Sequence, residues 1–403
     1  MRTALVSTAL MILVGFAPLV ASAQQPKAKG KGAPASAADR SRDAETAGLA
    51  EPFRGIATKD GIERGLFPVR ASGVTTEPVR VAAAAFLKAL SDEQRKKTLF
   101  PVGDDEWRKW MNQHFYVRQG VSFQEMSEAQ RAAAFALMRA SLSAKGLKLS
   151  QDIMKLNHTL GELNNNDMVQ YGEWLYHITI MGEPSADKPW GWQIDGHHLI
   201  INYFVLRDQV VMSPVFVGSE PVTAHAGKFK GVSILQEEQA AGLAMLRSLD
   251  AAQRKRAVLE VAKTGNNNLT EAWKDNVVLD YAGIPAAVLT MAQREQLLKL
   301  AALFIDTMDD GHARVKMSEV RARLDRTHFA WIGGDADDSV FYFRIHSPVL
   351  LIEFDHQRPA NLRHLAKDPS LPNREHIHVV VRTPNGNDYG KDLLRQHYEQ
   401  VKH

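Results

Sequence analysis

The chain has 403 residues, contains no cysteine and carries a formal net charge of +3 at pH 7. Without cysteine, the protein cannot use thiol catalysis, an iron–sulfur cluster, a disulfide or a cysteine-ligated zinc ion. The charge is close to neutral and forms no concentrated basic segment, so nucleic acid is not expected as a partner.

The first residues have the pattern of a secretory signal peptide. Residues 1–3 form a short positive start, residues 4–20 are apolar and uncharged, and residues 21–23 read Ala-Ser-Ala, as at a cleavage site. An uncleaved membrane anchor is the alternative, although the apolar run is barely long enough to span a bilayer. We therefore predict a signal peptide over residues 1–23, a periplasmic or secreted protein, and no stable membrane insertion after cleavage.

The segment after the signal is predicted to be a linker. Residues 24–45 are rich in Ala, Lys, Gly, Pro and Ser and lack apolar periodicity, which is typical of a disordered tether. Residues 52–78 have a mixed composition that indicates an extended approach to the domain. Residues 24–78 are thus predicted to be linker and approach segment, and the folded domain is predicted to occupy residues 79–403.

Four helix starts share one capping pattern. In this pattern a Ser, Thr or Asp side chain accepts a backbone hydrogen bond, and a Gln three residues on reaches back. The pattern occurs at Ser91 with Gln94, Ser127 with Gln130, Asp250 with Gln253 and Thr290 with Gln293. The first two precede an aromatic, β-rich region, and the other two precede a second such region.

The two β-rich regions align with each other without a gap. Each has a short strand, a Gly-containing turn, a long strand with a central break, and a third strand further on. The aligned segments are residues 177–182 with 328–333, 192–194 with 343–345, and 199–203 with 350–354, and the third strands are 209–217 and 376–382.

This alignment predicts an α+β domain that is internally duplicated. Each half-repeat, about 79–225 and about 231–403, would contain a helix pair and an antiparallel β-meander. The seam between the halves is then the expected place for a site. Similar strand patterns can also arise from burial alone, without duplication.

Two histidines open the last predicted strand with the spacing of a metal chelate. Residues two apart in a strand face the same side, about 6–7 Å apart along the rise. His376 and His378 could therefore bind one cation, and a hydrogen-bonded pair on a solvent face is the alternative. His197 and His198 begin another predicted strand, where neighbours point to opposite faces, so at most one of them can join the same cluster.

Carboxylates stand in the apolar strand sequence that ends at residue 355. Burying Glu353 is costly unless the carboxylate has a partner. Either Glu353 pairs with an arginine such as Arg344 or Arg382, or it is a metal ligand or a general base with a raised pKa. Glu353 and Asp355 are therefore the candidate catalytic residues. The candidate metal ligands are His197, His198, His376, His378 and Glu353.

Aromatic residues on the strands are candidates for a substrate groove. The groove candidates are Trp190, Trp192 and Trp331, together with Asn202, Arg344 and Arg382. The alternative is that these tryptophans are core residues, which is the commoner role of aromatics on strands. His114, His158, His225, His312 and His364 lie in helical or loop contexts and are expected at the surface.

Several of these segments resemble the DUF3500 family of bacterial and eukaryotic proteins. They are residues 190–202 (WGWQIDGHHLIIN), 350–355 (LLIEFD), 376–382 (HIHVVVR) and 387–398, and the resemblance covers about residues 80–400. The chain reads Phe354-Asp-His-Gln357 where many members read Tyr-Asp-Asn-Thr-Gln. The family is functionally uncharacterised, so the resemblance implies no substrate or cofactor.

The leading hypothesis is an exported metal-dependent enzyme, either a hydrolase or an oxidoreductase. Its cofactor would be a divalent transition metal, and mixed His and carboxylate ligands suit zinc, iron, manganese or copper. One alternative is a metal-free hydrolase with Glu353 as base and His376 or His378 as acid. The other is a non-catalytic periplasmic ligand-binding or scaffold protein. The sequence does not indicate the substrate, whether small molecule or polymer.

Overall fold

The computed structural model describes residues 36–400. The predicted signal peptide and the first part of the predicted linker lie outside these residues. The described helices are α1 Ala37–Gly48, α2 Glu77–Ala89, α3 Asp92–Thr98, α4 Glu128–Ser141, α5 Ala144–Leu163, α6 Met168–Tyr171, α7 Gln236–Arg247, α8 Ala251–Ala257, α9 Met291–Ile305, α10 Asp310–Ala322 and α11 Lys391–Gln400. The described strands are β1 Leu99–Phe100, β2 Val121–Ser122, β3 Tyr176–Met181, β4 Trp190–Gly196, β5 Leu199–Leu206, β6 Gln209–Ser219, β7 Val258–Glu260, β8 Ile284–Pro285, β9 His328–Gly333, β10 Phe341–His346, β11 Leu351–His356 and β12 Ile377–Arg382.

All four predicted capping boxes are present and start helices α3, α4, α8 and α9. The glutamines of each pair of helix starts also bond to each other. Gln130 donates to Gln94 over 2.7 Å, and Gln293 donates to Gln253 over 2.8 Å. The same side chains therefore cap their own helices and join α3 to α4 and α8 to α9.

The strands form one mixed sheet, so the predicted α+β class is confirmed. The order is β1-β3-β4-β5-β6-β12-β11-β10-β9-β7, with β2 beside β3 and β8 beside β9. Most neighbours are antiparallel, whereas β1 and β7 pair in parallel with β3 and β9. The antiparallel pair β6–β12 stands at the centre and joins the first part of the chain to the second.

The predicted long strands with a central break are hairpins. Gly196 of β4 pairs with Leu199 of β5, so His197 and His198 form the turn between two antiparallel strands. His198 has a φ of 61°, a turn conformation that a continuous strand would not contain. The break at His346 is likewise the end of β10, and β11 returns beside it.

The central sheet is buried on both faces. Every residue of β4, β5, β10, β11 and β12 is buried. Sheets covered on both faces have near-continuous apolar strands, which explains the long apolar runs in the sequence. Polar side chains in these strands are therefore buried and need specific partners.

The folded region begins earlier than the predicted boundary at Val79. Helix α1 lies within the predicted linker, and Ser41 accepts a hydrogen bond from the backbone of Val117 over 2.9 Å. Ile56 and Phe67 are buried at 0 % and 4 % exposure. Composition could not show this, because the segment is held by partners that are distant in the sequence. Among the described residues, no helix combines the length and the apolar character that crossing a membrane requires.

Candidate metal centre

Three buried imidazoles converge at one end of the β6–β12 pair. Their Nε2 atoms lie 3.3 Å apart between His198 and His376, 3.1 Å between His198 and His378, and 3.0 Å between His376 and His378. Among the described residues, these three form the only group of His, Asp or Glu side chains arranged to hold a metal ion. His376 and His378 do face the same side, as predicted.

The register of the sheet explains why His198 reaches the other two histidines. His378 pairs with Gly218 on β6, and the backbone N–H of Gly218 donates to the carbonyl of His198 over 3.0 Å. A Cβ at Gly218 would lie 3.2 Å from Cδ2 of His198 and 3.4 Å from Cδ2 of His378. The missing side chain therefore leaves the space in which the two rings approach each other.

Hydrogen bonds on the outer nitrogens fix how the rings are oriented. Nδ1 of His376 donates to the carbonyl oxygen of Arg358 over 2.7 Å. Nδ1 of His378 donates to Oε1 of Glu271, also over 2.7 Å. Because a neutral imidazole carries one N–H, both Nε2 atoms then present lone pairs to the common centre. Such outer partners are typical of histidines that bind metals.

Glu271 lies in the long β7–β8 loop (residues 261–283), which Glu353 holds in place. The Glu353 carboxylate accepts hydrogen bonds from the backbone N–H groups of Leu269 and Thr270, each over 2.9 Å, and from the Thr270 hydroxyl. It also accepts one from the hydroxyl of Tyr342 over 2.7 Å. Both oxygens of Glu353 are therefore engaged in hydrogen bonds, which hold the loop that contains Glu271.

Asp355 and Arg382 hold the same β7–β8 loop on either side of Glu353. Asp355 accepts from the backbone of Asn267 over 2.6 Å and pairs with Lys263 over 2.8 Å. Arg382 donates from Nε to the carbonyl of Thr270 over 3.0 Å and from Nη2 to that of Glu271 over 3.1 Å. Three buried charged residues of β11 and β12 thus fix one irregular loop over the histidines.

A further carboxylate, that of Glu220, positions the β11–β12 loop (residues 357–376). Glu220 accepts hydrogen bonds from the backbones of Ala360 over 2.9 Å, Asn361 over 2.7 Å and Leu362 over 3.2 Å. One of its oxygens also lies 3.8 Å from Nδ1 of His376. Glu220 therefore fixes the loop whose Arg358 carbonyl orients His376.

Burial sets the electrostatics of the centre. It lowers the pKa of His198 and of His378 well below the ordinary value, and the neighbouring histidines lower it further. Burial also raises the pKa of Glu271, while a hydrogen bond from Asn268 and the charge of His376 act in the opposite direction. Burial thus favours the neutral form of His198 and His378 at this centre.

The three histidines open into a polar cavity of about 290 Å³. The β7–β8 and β11–β12 loops form much of its wall. The residues that line it are Asn112, Gln113, His114, His197, His198, Asn266, Glu271, Gln357, Arg358, Ala360, Asn361, His376 and His378. A ligand would therefore reach the three histidines through this cavity.

The structure brings together three of the five candidate ligands. His198, His376 and His378 form the cluster, whereas His197 turns away and donates from Nδ1 to Oδ1 of Asn157 over 2.8 Å. Glu353 is not in the cluster, because its oxygens bind the β7–β8 loop and Tyr342. Neither Glu353 nor Asp355 lines the cavity, and both act here as loop anchors. Arg382, one of the arginines expected to pair with Glu353, pairs instead with Asp275 and Asp388.

The expected substrate groove is not formed by its six candidates. Trp190, Trp192 and Trp331 have 0 % exposure and pack in the core. Asn202 accepts from Gln193 over 2.7 Å, and Arg344 donates to the carbonyl of Asp280 over 3.3 Å. These side chains, like Arg382, lie on strands that are covered on both faces, so the six candidates line no open groove.

Sequence reasoning missed the residues that complete the site. Glu271 and Arg358 lie in irregular loops with no motif, and Gly218 gave no local signal. His114, which was expected at the surface, lines the cavity, and His312 is buried at 3 % exposure. For Glu271 the only available signal was a carboxylate within an unusually polar loop, Asn266-Asn-Asn-Leu-Thr-Glu271.

The fold and the cluster define an α+β protein with three convergent histidines at one end of the central strand pair of its sheet. The chain belongs to the DUF3500 family, described as a protein of unknown function, and the family match covers residues 72–391. The resemblance seen in the sequence is thereby confirmed. No curated protein and no solved structure matches the chain.

Proposed function

We propose that His198, His376 and His378 bind one divalent transition-metal ion, and that the protein is a metal-dependent hydrolase or oxidoreductase. The observation that carries the proposal is the convergence of three Nε2 atoms within 3.3 Å of one another. Catalytic metal sites often have three protein ligands, such as three histidines, and leave a further coordination position of the metal ion free for water or substrate.

The distances between the nitrogens match those around a metal ion. With metal–nitrogen bonds of about 2.0–2.1 Å, two ligands stand about 3.3 Å apart in a tetrahedral site and about 2.9 Å apart in an octahedral one. The three distances here, 3.0, 3.1 and 3.3 Å, lie within this interval. The rings are thus close enough to share one ion without rearrangement.

The hydrogen bonds on the outer nitrogens support a cation at the centre. His376 and His378 have inward lone pairs 3.0 Å apart, which repel each other unless a positive group lies between them. Glu271 and the Arg358 carbonyl hold this arrangement from outside. A metal ion would bind all three nitrogens at once, whereas an N–H on Nε2 of His198 would have to be shared between two acceptors, at 3.3 and 3.1 Å.

A bound ion would act on a ligand in the cavity. Imidazole ligands suit zinc, iron and copper, whereas manganese prefers carboxylate ligands, so a site of three histidines favours the first three metals. Such an ion supplies a Lewis acid that lowers the pKa of bound water or, if it is redox-active, a site for oxygen. The surrounding residues support this role, since they form a polar cavity on the side that the imidazoles leave open.

The metal-free alternative has less support from the geometry. It requires Glu353 as a general base, but that carboxylate is at 0 % exposure and binds Leu269, Thr270 and Tyr342. A base must reach the proton that it abstracts. A non-catalytic binding protein remains the second candidate, and its support is the same polar cavity. Bound ligand without turnover would favour it.

Export is proposed from the signal-peptide pattern of residues 1–23. We propose a periplasmic or secreted protein that is cleaved after Ala23. The check is the intact mass of the protein recovered from the periplasm or medium. A mass that retains residues 1–23 would contradict the proposal.

We also infer that the two halves of the chain arose by duplication. The strand order runs outward from β6 through β5, β4 and β3 to β1, and from β12 through β11, β10 and β9 to β7. Each half also has a reciprocal pair of glutamines at its helix starts. On this inference His198 comes from the first half and His376 and His378 from the second, at the seam.

Elemental analysis of the purified protein tests the metal site. We expect close to one ion per chain, and loss of that ion in a His376→Ala/His378→Ala double variant. His364→Ala is the matched control, because His364 is exposed and outside the cavity. Circular dichroism would show that each variant is folded. Absence of metal from the wild type after loading with zinc, iron, manganese and copper would overturn the proposal.

A further inference from the structure

The wall of the cavity is rich in side-chain amides. Five of its thirteen lining residues are Asn or Gln, and the only aliphatic one is Ala360. The volume of about 290 Å³ lies at the lower end of the range for small-molecule sites, about 300–1,000 Å³. The cavity therefore suits one small polar molecule rather than an apolar ligand.

Two of these amide groups are oriented by bonds on their outer side. Oδ1 of Asn266 accepts from the backbone of Arg358 over 2.9 Å, which leaves its NH₂ group for a ligand. The NH₂ group of Gln357 donates to Asp355 over 2.5 Å, which leaves its carbonyl oxygen. The cavity thus offers a donor and an acceptor whose roles are already set.

His197 adds a second acceptor to the wall. Nδ2 of Asn157 donates to the carbonyl of Gly172 over 2.9 Å, so Oδ1 of Asn157 is the side that faces His197. Nδ1 of His197 then donates to this oxygen over 2.8 Å. In a neutral ring the remaining nitrogen, Nε2, is an acceptor. His197 has 4 % exposure and lines the cavity.

Fixed charges are few in this wall. Among the lining residues the only acid is Glu271, which is engaged by His378, and the only Arg or Lys is Arg358. The Arg358 guanidinium donates to the carbonyl of Thr264 over 2.7 Å. The wall therefore offers an anion a single, partly engaged guanidinium rather than the cluster of cations that is typical of phosphate sites.

We propose that the cavity binds a small uncharged polyhydroxyl molecule, of the sugar or polyol class. A hydroxyl group both donates and accepts, so neighbouring hydroxyls of one ligand match the donor of Asn266 and the acceptors of Gln357 and His197. One further hydroxyl faces the open side of His198, His376 and His378. The inference rests on the proposed metal site, which supplies the ligand's other anchor.

Calorimetric titration of the zinc-loaded full chain tests this inference. The probes are glucose and myo-inositol as neutral polyols, phosphate and acetate as anions, and cyclohexanol as a ring with one hydroxyl. We expect a neutral polyol to bind more tightly than either anion and than cyclohexanol. Asn266→Ala should weaken that binding about tenfold, the effect of one lost hydrogen bond.

Gln124→Ala is the matched control, since Gln124 is an exposed amide outside the cavity. Zinc content is measured on the same samples. Two results with zinc bound would contradict the ligand class while leaving the metal site in place. One is tighter binding of an anion or cyclohexanol than of the polyols, and the other is no binding of either polyol. Equal binding by wild type and Asn266→Ala would also overturn the ligand class. Absence of zinc would overturn the proposed function itself, and this inference with it.

Discussion

Nδ1 of His378 lies 2.7 Å from Oε1 of Glu271, although 107 positions separate the two residues in the chain. The contact exists because Glu353, Asp355 and Arg382 bind the backbone around Glu271. Two buried strands, β11 and β12, thus determine the shape of a loop, and the loop orients a histidine. The contact links the stability of the fold to the proposed metal site.

The variant Glu271→Gln tests this link. We expect a fall in metal affinity of about 10–100-fold, the usual effect of losing an outer partner of a metal-binding histidine. The cause is a weaker and less well-directed acceptor at Nδ1 of His378. Competition with a coloured chelator would measure the affinity. Glu128→Gln, at an exposed helix start, is the control. Equal affinities in both variants would show that Glu271 does not support the site.

Gly218→Ala probes the space between the rings. The new Cβ would lie 2.3 Å from the carbonyl oxygen of Ile377 and 3.2 Å from Cδ2 of His198. We expect a loss of about 1–3 kcal/mol in the free energy of unfolding, as for other overpacked sites, together with weaker metal binding. Urea unfolding and chelator competition give the two values.

Gly103→Ala is the matched control for Gly218→Ala. An added Cβ at Gly103 meets no atom within 4 Å, and its φ is outside the positive range that disfavours alanine. The control should therefore change neither the free energy of unfolding nor the metal affinity. If Gly218→Ala behaves like Gly103→Ala, the rings do not depend on this close approach.

Glu353→Gln separates an anchoring role from a catalytic one. The glutamine NH₂ group would replace one of the two carboxylate oxygens, either the one that accepts from Leu269 and Tyr342 or the one that accepts from Thr270. Leaving buried donors without a partner costs about 1–3 kcal/mol. We expect the free energy of unfolding to fall by that amount and metal affinity to fall as the β7–β8 loop moves. Unchanged unfolding with a loss of activity would instead support a general base.

Local patterns in the sequence predicted the elements well. The capping boxes at Ser91, Ser127, Asp250 and Thr290 all form, since a capping box depends on residues only three apart. The α+β class followed from the alternation of helix starts with β-rich regions. His376 and His378 share a face, because that relationship also needs only two positions of strand geometry.

Relationships between distant segments were not accessible in the same way. His197 and His198 were expected to begin a strand, and the hairpin turn places only His198 in the cluster. Glu353 was correctly marked as a buried carboxylate that needs partners. Its partners are backbone N–H groups of the β7–β8 loop, which no residue pattern could reveal. Glu271 was missed for the same reason.

Burial of Glu106 predicts a distinct dependence of stability on pH. Its Oε2 has no hydrogen-bond partner among the described residues, and the nearest cation is Nζ of Lys109 at 3.7 Å. Burial raises the pKa of Glu106 to about 8, which Lys109 opposes. The folded protein then keeps this proton at neutral pH, whereas the unfolded chain loses it above its ordinary pKa of 4.5.

The contribution of Glu106 to the free energy of unfolding should therefore fall as pH rises from about 4.5 to about 8 and level off above that range. We expect this fall to amount to about 2–4 kcal/mol. Glu106→Gln cannot ionise, so its stability relative to the wild type should rise from pH 5 to pH 8 in urea unfolding. The exposed variant Glu128→Gln should show no such trend. A constant difference between wild type and Glu106→Gln would mean that Glu106 is ionised in the folded protein.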